Sequence, residues 1–318
     1  MNWLAPAIGF VVCWLSLTWL LRHDFLPMDH PNARSLHQAP TPRIGGLGIM
    51  LGIGVAGLWL ADGSLLLLIL ATFSLAALSV LDDVRGLPVT IRFLTHLVVT
   101  LVYLLTLGLS GWPLLFGTLA TVWMVNLYNF MDGSDGLAGG MAAIGFSALA
   151  LASFYGDANE FAAFCASIAA SALAFLRFNF PPARLFMGDV GSIPLGFLAA
   201  TTGILGIRQG LWPWVFPLLV FSPFIVDTSV TLARRAIRGE KVWQAHRSHY
   251  YQRVVMLGAS HRQLAVAAYS LMMMSAATGF LLLAWPRLVI WLLVLWSAIY
   301  VLIFLLIDRQ WRRAQHGY

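Results

Sequence analysis

Apolar runs of about 18 or more residues recur from one end of this 318-residue chain to the other, which leaves it few ways to fold. Inside a bilayer every backbone N–H and C=O must find its partner within the protein, and runs of this length do so as helices. The pattern places about eleven spans, at roughly 3–21, 45–61, 65–81, 91–108, 114–130, 137–154, 160–176, 191–207, 212–231, 264–284 and 288–307. The expected fold is all-α, a polytopic integral membrane protein. No Ser-rich or charged linker divides the chain, so residues 1–318 read as a single domain. The first apolar run lacks a basic n-region and is followed by Arg22 and His23, which suits a retained span rather than a cleaved signal.

Charge is scarce and its placement sets the orientation. Only 10% of residues are charged against 60% hydrophobic, with a net charge of +6. Of the 19 lysines and arginines, all but Arg208 and Arg287 fall in 22–44, 82–92, 177–190, 232–263 and 308–318, which share one side with 126–136. That bias makes this side cytoplasmic, with the N-terminus outside and the C-terminus inside. Basic residues spread singly between spans form a topology signal, so nucleic acid is not an expected partner. Cys13 and Cys165 both lie in apolar runs, which excludes a disulfide framework and a thiolate zinc site. Gly45, Gly46, Gly48, Gly52 and Gly54 open the second span and read as a close-packing face, since no P-loop lysine or strand-borne Rossmann pattern accompanies them.

Five polar loops on the cytoplasmic side carry the chemistry. The first, Asp29–Gly46, is held extended by Pro31, Pro40 and Pro42 and offers Arg34, His37 and Arg43 to a phosphate, with Ser35 and Thr41 as further donors. A basic topology loop is the alternative, but the order and length of the stretch favour a substrate-facing loop. In the second, Asp82 and Asp83 sit together at a helix C-terminus, where they oppose the macrodipole and repel each other unless a cation is near. In the fourth, Asp189 stands just before the eighth span between Gly188 and Gly191, a place suited to simple capping or to a metal. In the fifth, His246, Arg247, His249 and Arg253 read as phosphate donors; zinc would need a third protein ligand that no spacing supplies. Asp227, near the end of the ninth span, either pairs with Arg234 or Arg235 or shapes the site.

The third loop is the most unusual stretch. Asn126, Asn129, Asp132 and Asp135 recur at every third position between two apolar runs, where carboxylates are expensive to keep without a task. On a continuous α-helix each three-residue step turns the next group back by about 60°, spreading four groups over about 180°. Gly133 and Gly136 break that helix, so the fifth span should end near Met131, with Ser134 or Asp135 capping the sixth. The bend would fold both ends of the quartet toward one cavity.

Hard oxygen donors without cysteine suit Mg²⁺, which takes one or two carboxylates together with substrate phosphates. A magnesium site ringed by basic donors at a membrane surface points to phosphoryl transfer from a soluble nucleotide to a lipid, achieved largely by positioning and charge neutralisation.

Asp29–Gly46, Asp82–Pro88, Asn126–Ala138, Phe186–Ser192 and His246–Arg253 stand in the order seen in the polyprenyl-phosphate N-acetylhexosamine-1-phosphate transferases of glycosyltransferase family 4. The resemblance covers about residues 24–262 and is greatest to bacterial enzymes that start O-antigen or related surface-polysaccharide synthesis. It implies an inner-membrane enzyme that joins undecaprenyl phosphate and a UDP-N-acetylhexosamine, releasing UMP. By motif, Asp189 and Asn129 would hold Mg²⁺ (or Mn²⁺ in its place), and Asp135 would lie near the uracil. Asp82 and Asp83 would form the catalytic pair with Asp132 nearby, and His246, Arg247 and His249 would contact the diphosphate. A homodimer is also consistent with the resemblance.

Departures narrow the choice. Relatives that transfer phospho-MurNAc-pentapeptide carry a histidine run where this chain reads His-Arg-Ser-His, and Ser134 stands where an aliphatic residue is common. A flippase or transporter would place its polar groups near the midplane rather than at span ends. A CDP-alcohol phosphotransferase would need an arginine soon after Ala138, where Gly139 and Gly140 stand.

Overall fold

The computed structural model describes residues 2–23, 27–29, 31, 36, 39–60, 63–242, 244 and 246–316. Arg34, Ser35 and His37 of the first loop lie outside them. Among the described residues there are thirteen α-helices: α1 (Ala5–Leu20), α2 (Gly45–Leu60), α3 (Gly63–Arg85), α4 (Val89–Thr106), α5 (Gly111–Phe130), α6 (Leu137–Tyr155), α7 (Asn159–Asn179), α8 (Asp189–Arg208), α9 (Val215–Val220), α10 (Ser222–Ile237), α11 (Tyr250–Met256), α12 (His261–Ala284) and α13 (Val289–His316). The strand pairing is slight: β1 (Met28–Asp29) runs antiparallel to β2 (Thr41–Pro42), with Met28 opposite Pro42 and Asp29 opposite Thr41. This pair is the extended course that the prolines of the first loop impose.

Eight helical segments are long and apolar enough to cross a membrane, and α2 is a shorter apolar helix. The chain is therefore an all-α, multi-pass membrane protein. α6, α7 and α8 are covered by neighbours over most of their length, whereas α1, α4, α12 and α13 leave Trp14, Leu94, Met273, Trp291 and Leu302 exposed at the periphery. Apolar side chains on an outer surface suit a lipid surround.

The ninth apolar stretch, expected as one span over 212–231, is two helices instead. α9 ends at Val220 with Phe221 as its C-cap, and α10 begins at Ser222 with Pro223 in its first turn. Proline lacks the N–H that a continuing helix would need, and it fits the opening turn of a new one. α10 then runs on to Ile237, beyond the expected end.

Two helix starts are clasped together at the end of the bundle that carries the polar loops. Gly45 and Gly46 donate their amides to the carbonyls of Phe186 and Met187, both at 2.8 Å, and Phe186 donates back to Pro42 at 2.8 Å. The unpaired N–H groups at the start of α2 are thus satisfied by the segment leading into α8. So close an approach requires glycine. A Cβ on Gly46 would lie 2.3 Å from the Gly191 nitrogen and 2.7 Å from the Val190 carbonyl carbon. The rest of the stripe packs as expected, with Gly48 against Leu17, Gly52 against the Gly9 backbone and Gly54 against Phe73.

Backbone cannot yield as a side-chain tip can. Gly46→Ala should therefore lower stability by about 1–3 kcal/mol, read as a fall in melting temperature of the detergent-purified protein, with activity lost alongside. Gly63→Ala, whose added methyl meets nothing within 4 Å, should leave the melting temperature unchanged.

Candidate active site

The clasp brings the first and fourth loops into one polar cavity. Arg43, two residues before α2, places Nη2 3.2 Å from Oδ1 of Asp189, the first residue of α8. Gly188 precedes it with φ 69° and ψ 176°, a conformation that glycine adopts freely. The third loop forms the next wall. α5 ends at Phe130 with Met131 as its C-cap, as the glycine breaks imply. Neither Ser134 nor Asp135 caps α6, however. The N-cap is Gly136 at φ 76°, and the two side chains are used elsewhere.

Their destinations explain the shape of the site. Asp135 Oδ2 accepts from the Ala183 amide at 2.9 Å, and Asn179 Oδ1 accepts from Gly136 N at 2.9 Å while its Nδ2 donates to Leu185 O at 2.9 Å. The third and fourth loops are thus pinned to each other from both sides. Asn129 Oδ1 accepts from Ser192 Oγ at 2.7 Å, which ties the end of α5 to the first turn of α8.

These bonds surround a cavity of about 310 Å³. Asn129, Asp132 and Asp135 of the polar quartet line it, together with Arg43, Asp189 and His246. Asn126 does not reach it: its amide donates at 2.7 Å to the Val122 carbonyl of its own helix, one turn deeper. The bend after Phe130 therefore gathers three of the quartet and leaves the fourth in α5. Burial holds the Asp132 carboxyl well above the usual carboxylate range; Arg43 pulls it down, Asp189 pushes it up, and the Gly188 amide and Asp29 add smaller opposing effects. A carboxyl so placed is suited to hold a proton and release it when a cation approaches.

The aspartate pair lies beside this cavity rather than in its lining. Asp82 accepts from Arg92 Nη1 and from the Leu87 amide, both at 2.7 Å, so its compensating cation is a residue of α4. Asp83 is exposed and lies within electrostatic reach of Arg43 and Asp189. Arg92, ten residues from Asp82, was visible in the sequence as a topology charge.

The fifth loop divides its residues. His246 lines the cavity, with Nδ1 2.7 Å from Ser248 Oγ. Burial, then the neighbouring His249 and Arg235, lower its pKa to about 4, so it meets a phosphate as a neutral hydrogen-bonding group. Arg247 is exposed and outside the lining. His249 is 2% exposed and likewise outside it, stacked on His246 with ring centroids 4.8 Å apart. Its partner is Asp227, which resolves that residue's role. Asp227 pairs with neither Arg234 nor Arg235; it accepts from the amides of Tyr250 and Tyr251 at 3.0 and 2.9 Å and from His249 Nδ1 at 3.3 Å. A buried carboxylate thus caps α11 and anchors the loop. Arg234 and Arg253 instead converge on Asp308 of α13, at 2.5 and 2.9 Å.

Further lining residues not singled out in the sequence include Asn179, Phe186, Tyr251, Gln252 and His261. Their spacing gives no periodic signal, because they come from three separate parts of the chain: the end of α7 with the segment leading into α8, the start of α11 and the start of α12. Among the described residues no three His, Cys, Asp or Glu side chains form a metal cluster.

The description glycosyl transferase family 4 matches residues 65–207 of this chain. A Bacillus subtilis (strain 168) protein named "probable undecaprenyl-phosphate N-acetylglucosaminyl 1-phosphate transferase" is 31% identical over 269 residues, covering 76% of this chain and 73% of the relative. This chain belongs to that family. The decaprenyl-phosphate N-acetylglucosaminephosphotransferase of Mycobacterium leprae is 28% identical across 80% of this chain and 76% of the relative. The undecaprenyl-phosphate alpha-N-acetylglucosaminyl 1-phosphate transferase of Escherichia coli (strain K12) is 27% identical across 79% and 74%. The matched span runs from within α3 to within α8 and includes Asp82, Asp83, the polar quartet and Asp189.

Two outcomes follow from the fifth loop. Asp227→Ala strands two buried amides and a buried imidazole and should cost about 3 kcal/mol, with limited trypsin digestion cutting faster at Arg253. His246, titrating near 4, keeps one charge state between pH 6 and 8. The pH profiles of wild type and His246→Gln should therefore have the same shape over that range, whatever the difference in height.

Proposed function

We propose that this protein transfers N-acetylhexosamine 1-phosphate from a UDP-sugar to undecaprenyl phosphate, giving the undecaprenyl diphosphate-linked sugar and UMP. In this reading it initiates O-antigen or related surface-polysaccharide synthesis at the cytoplasmic face of a bacterial inner membrane. The observation that carries it is the gathering of Asn129, Asp132, Asp135, Asp189, Arg43 and His246 around one cavity at the polar end of a membrane bundle. The names of the relatives support the polyprenyl phosphate and the transferred group.

In the reaction an oxygen of the lipid phosphate attacks the sugar-bearing phosphorus of the donor. A new P–O bond forms at that phosphorus, its bond to the bridging oxygen breaks, and UMP leaves with that oxygen and the electron pair. One phosphoanhydride replaces another, so the protein's work is to orient two polyanions and relieve their repulsion. Arg43 and Arg92 supply fixed positive charge at the cavity and beside it, each now paired with a carboxylate. His246 adds a neutral hydrogen bond without adding charge. Asp132 can retain or release a proton as the local charge changes.

The donor set fits Mg²⁺. Asp189 and Asn129 offer hard oxygens on adjoining helix ends, with Asp132 in the same lining, and a magnesium ion needs few protein ligands when it also holds phosphates. When bound there it would neutralise the diphosphate. Detergent-purified protein given undecaprenyl phosphate, Mg²⁺ and single UDP-sugars should release UMP with UDP-GlcNAc or a related UDP-N-acetylhexosamine. Asp189→Ala should lose turnover by a factor of about 100 or more. Release from the muropeptide nucleotide alone would assign the chain to cell-wall synthesis, and no release from any donor would overturn the reading.

A further inference from the structure

Two groups of hydrogen-bonded residues stand out around the cavity. Arg43, Asn129, Asp189 and Ser192 form one, built around a carboxylate and a guanidinium. The other is built on the third loop: Ser134, Asp135 and Gly136 are tied respectively to His261, Ala183 and Asn179. Apart from Asp135, its groups are hydroxyl, amide and imidazole, the chemistry that reads a base or ribose rather than a diphosphate.

His261 is held with unusual care in this second set. It is the first residue of α12, whose start is fixed by Ser260: the Ser260 hydroxyl accepts from Gln263 N at 3.2 Å, and Ser260 N donates to Gln263 Oε1 at 2.9 Å. A second tie comes from Tyr269, two turns on, which donates to the Gly136 carbonyl at 2.7 Å. The backbone beneath the imidazole is thereby locked to the third loop. The ring itself is set by Ser134, 8% exposed, whose Oγ lies 2.8 Å from Nδ1. Nε2 makes no hydrogen bond to the described residues, is not among the buried unpartnered atoms, and belongs to a residue lining the cavity.

We infer that His261 is a nucleotide-binding residue, with Ser134 as the positioning residue that fixes its ring. We assign the tautomer in which the Ser134 hydroxyl donates to Nδ1, so that Nε2 carries the proton and donates to an oxygen of the uridine monophosphate portion of the donor. The inference rests on the reading of the cavity as a UDP-sugar site, and it gives Ser134 a purpose at the position where an aliphatic residue is common.

The test uses the full-length enzyme in detergent, with UMP and UDP-GlcNAc as probes. His261→Ala should weaken UMP binding and raise KM for UDP-GlcNAc by the same factor, about 5–10. KM for undecaprenyl phosphate should stay within about twofold, with the loss falling on KM for the donor rather than on kcat. Ser134→Ala removes one oxygen from the cavity edge and should give a smaller loss of about threefold in the same two quantities. The double variant should be no worse than His261→Ala alone, as expected when one residue acts through the other. Unchanged UMP affinity in both single variants would overturn the assignment, as would a loss confined to UDP-GlcNAc, which would put the contact on the sugar. Additive losses would remove Ser134 from the positioning role. If the wild type neither binds UMP nor releases it from any UDP-sugar, the nucleotide reading itself falls; if it does both and His261→Ala matches it, only the role of His261 falls.

Discussion

The polar cavity depends on one backbone contact, the clasp between the start of α2 and the segment that leads into α8. Three amide–carbonyl bonds at 2.8 Å join Pro42–Gly46 to Phe186–Met187, and they close only because Gly46 and Gly191 have no side chains to hold the helices apart. Arg43 and Asp189 are neighbours of that contact on either side, so their pairing is a consequence of it. In a membrane protein such a contact does two tasks at once. It satisfies the unpaired amides of a helix start, and it brings together charges that neither helix could carry alone.

The same economy governs the other walls. The glycines after Phe130 end α5 early and open α6 without a side-chain cap, which frees Ser134 and Asp135 to reach across to His261 and Ala183. Behind His246, the buried Asp227 gathers two amides and an imidazole at the start of α11, and Asp308 gathers two arginines from α10 and α11 onto α13. Asp227 and Asp308, outside the cavity, are thus spent on holding loops. Within it, Arg43 is shared by Asp189 directly and by Asp132 through its field. A site whose charges are balanced with so little excess is one in which an incoming polyanion changes protonation and pairing together.

Much of the fold was legible because lipid makes the rules strict. Length and hydropathy located most of the spans, and the glycine stripe of α2 was readable as packing because a phosphate loop would have needed a lysine. The break within the ninth stretch was missed although Pro223 stood in plain sight, because a hydropathy window does not register where an N–H is missing. Among the cavity residues, Asn129, Asp132 and Asp135 stood out in the sequence by cost, because carboxylates beside a span are expensive, and Arg43 and His246 stood out as phosphate donors in polar loops. Asn126 had the same period as its neighbours, and only its hydrogen bond to Val122 separates it from them. His249 and His246 were indistinguishable as sequence, yet one is a buried anchor and the other faces the cavity.

The sequence by itself determined the class of molecule, the spans that match its apolar runs and the set of polar loops, because each follows from residues close together along the chain. It also placed the motifs that mark the family. Which members of those loops share a cavity was decided by the tertiary structure. Arg43 and Asp189 are 146 residues apart, Ser134 and His261 127 apart, and no local pattern encodes a contact over that distance. Those pairs exist because helix ends meet where glycine permits and buried hydrogen-bonding groups must find partners.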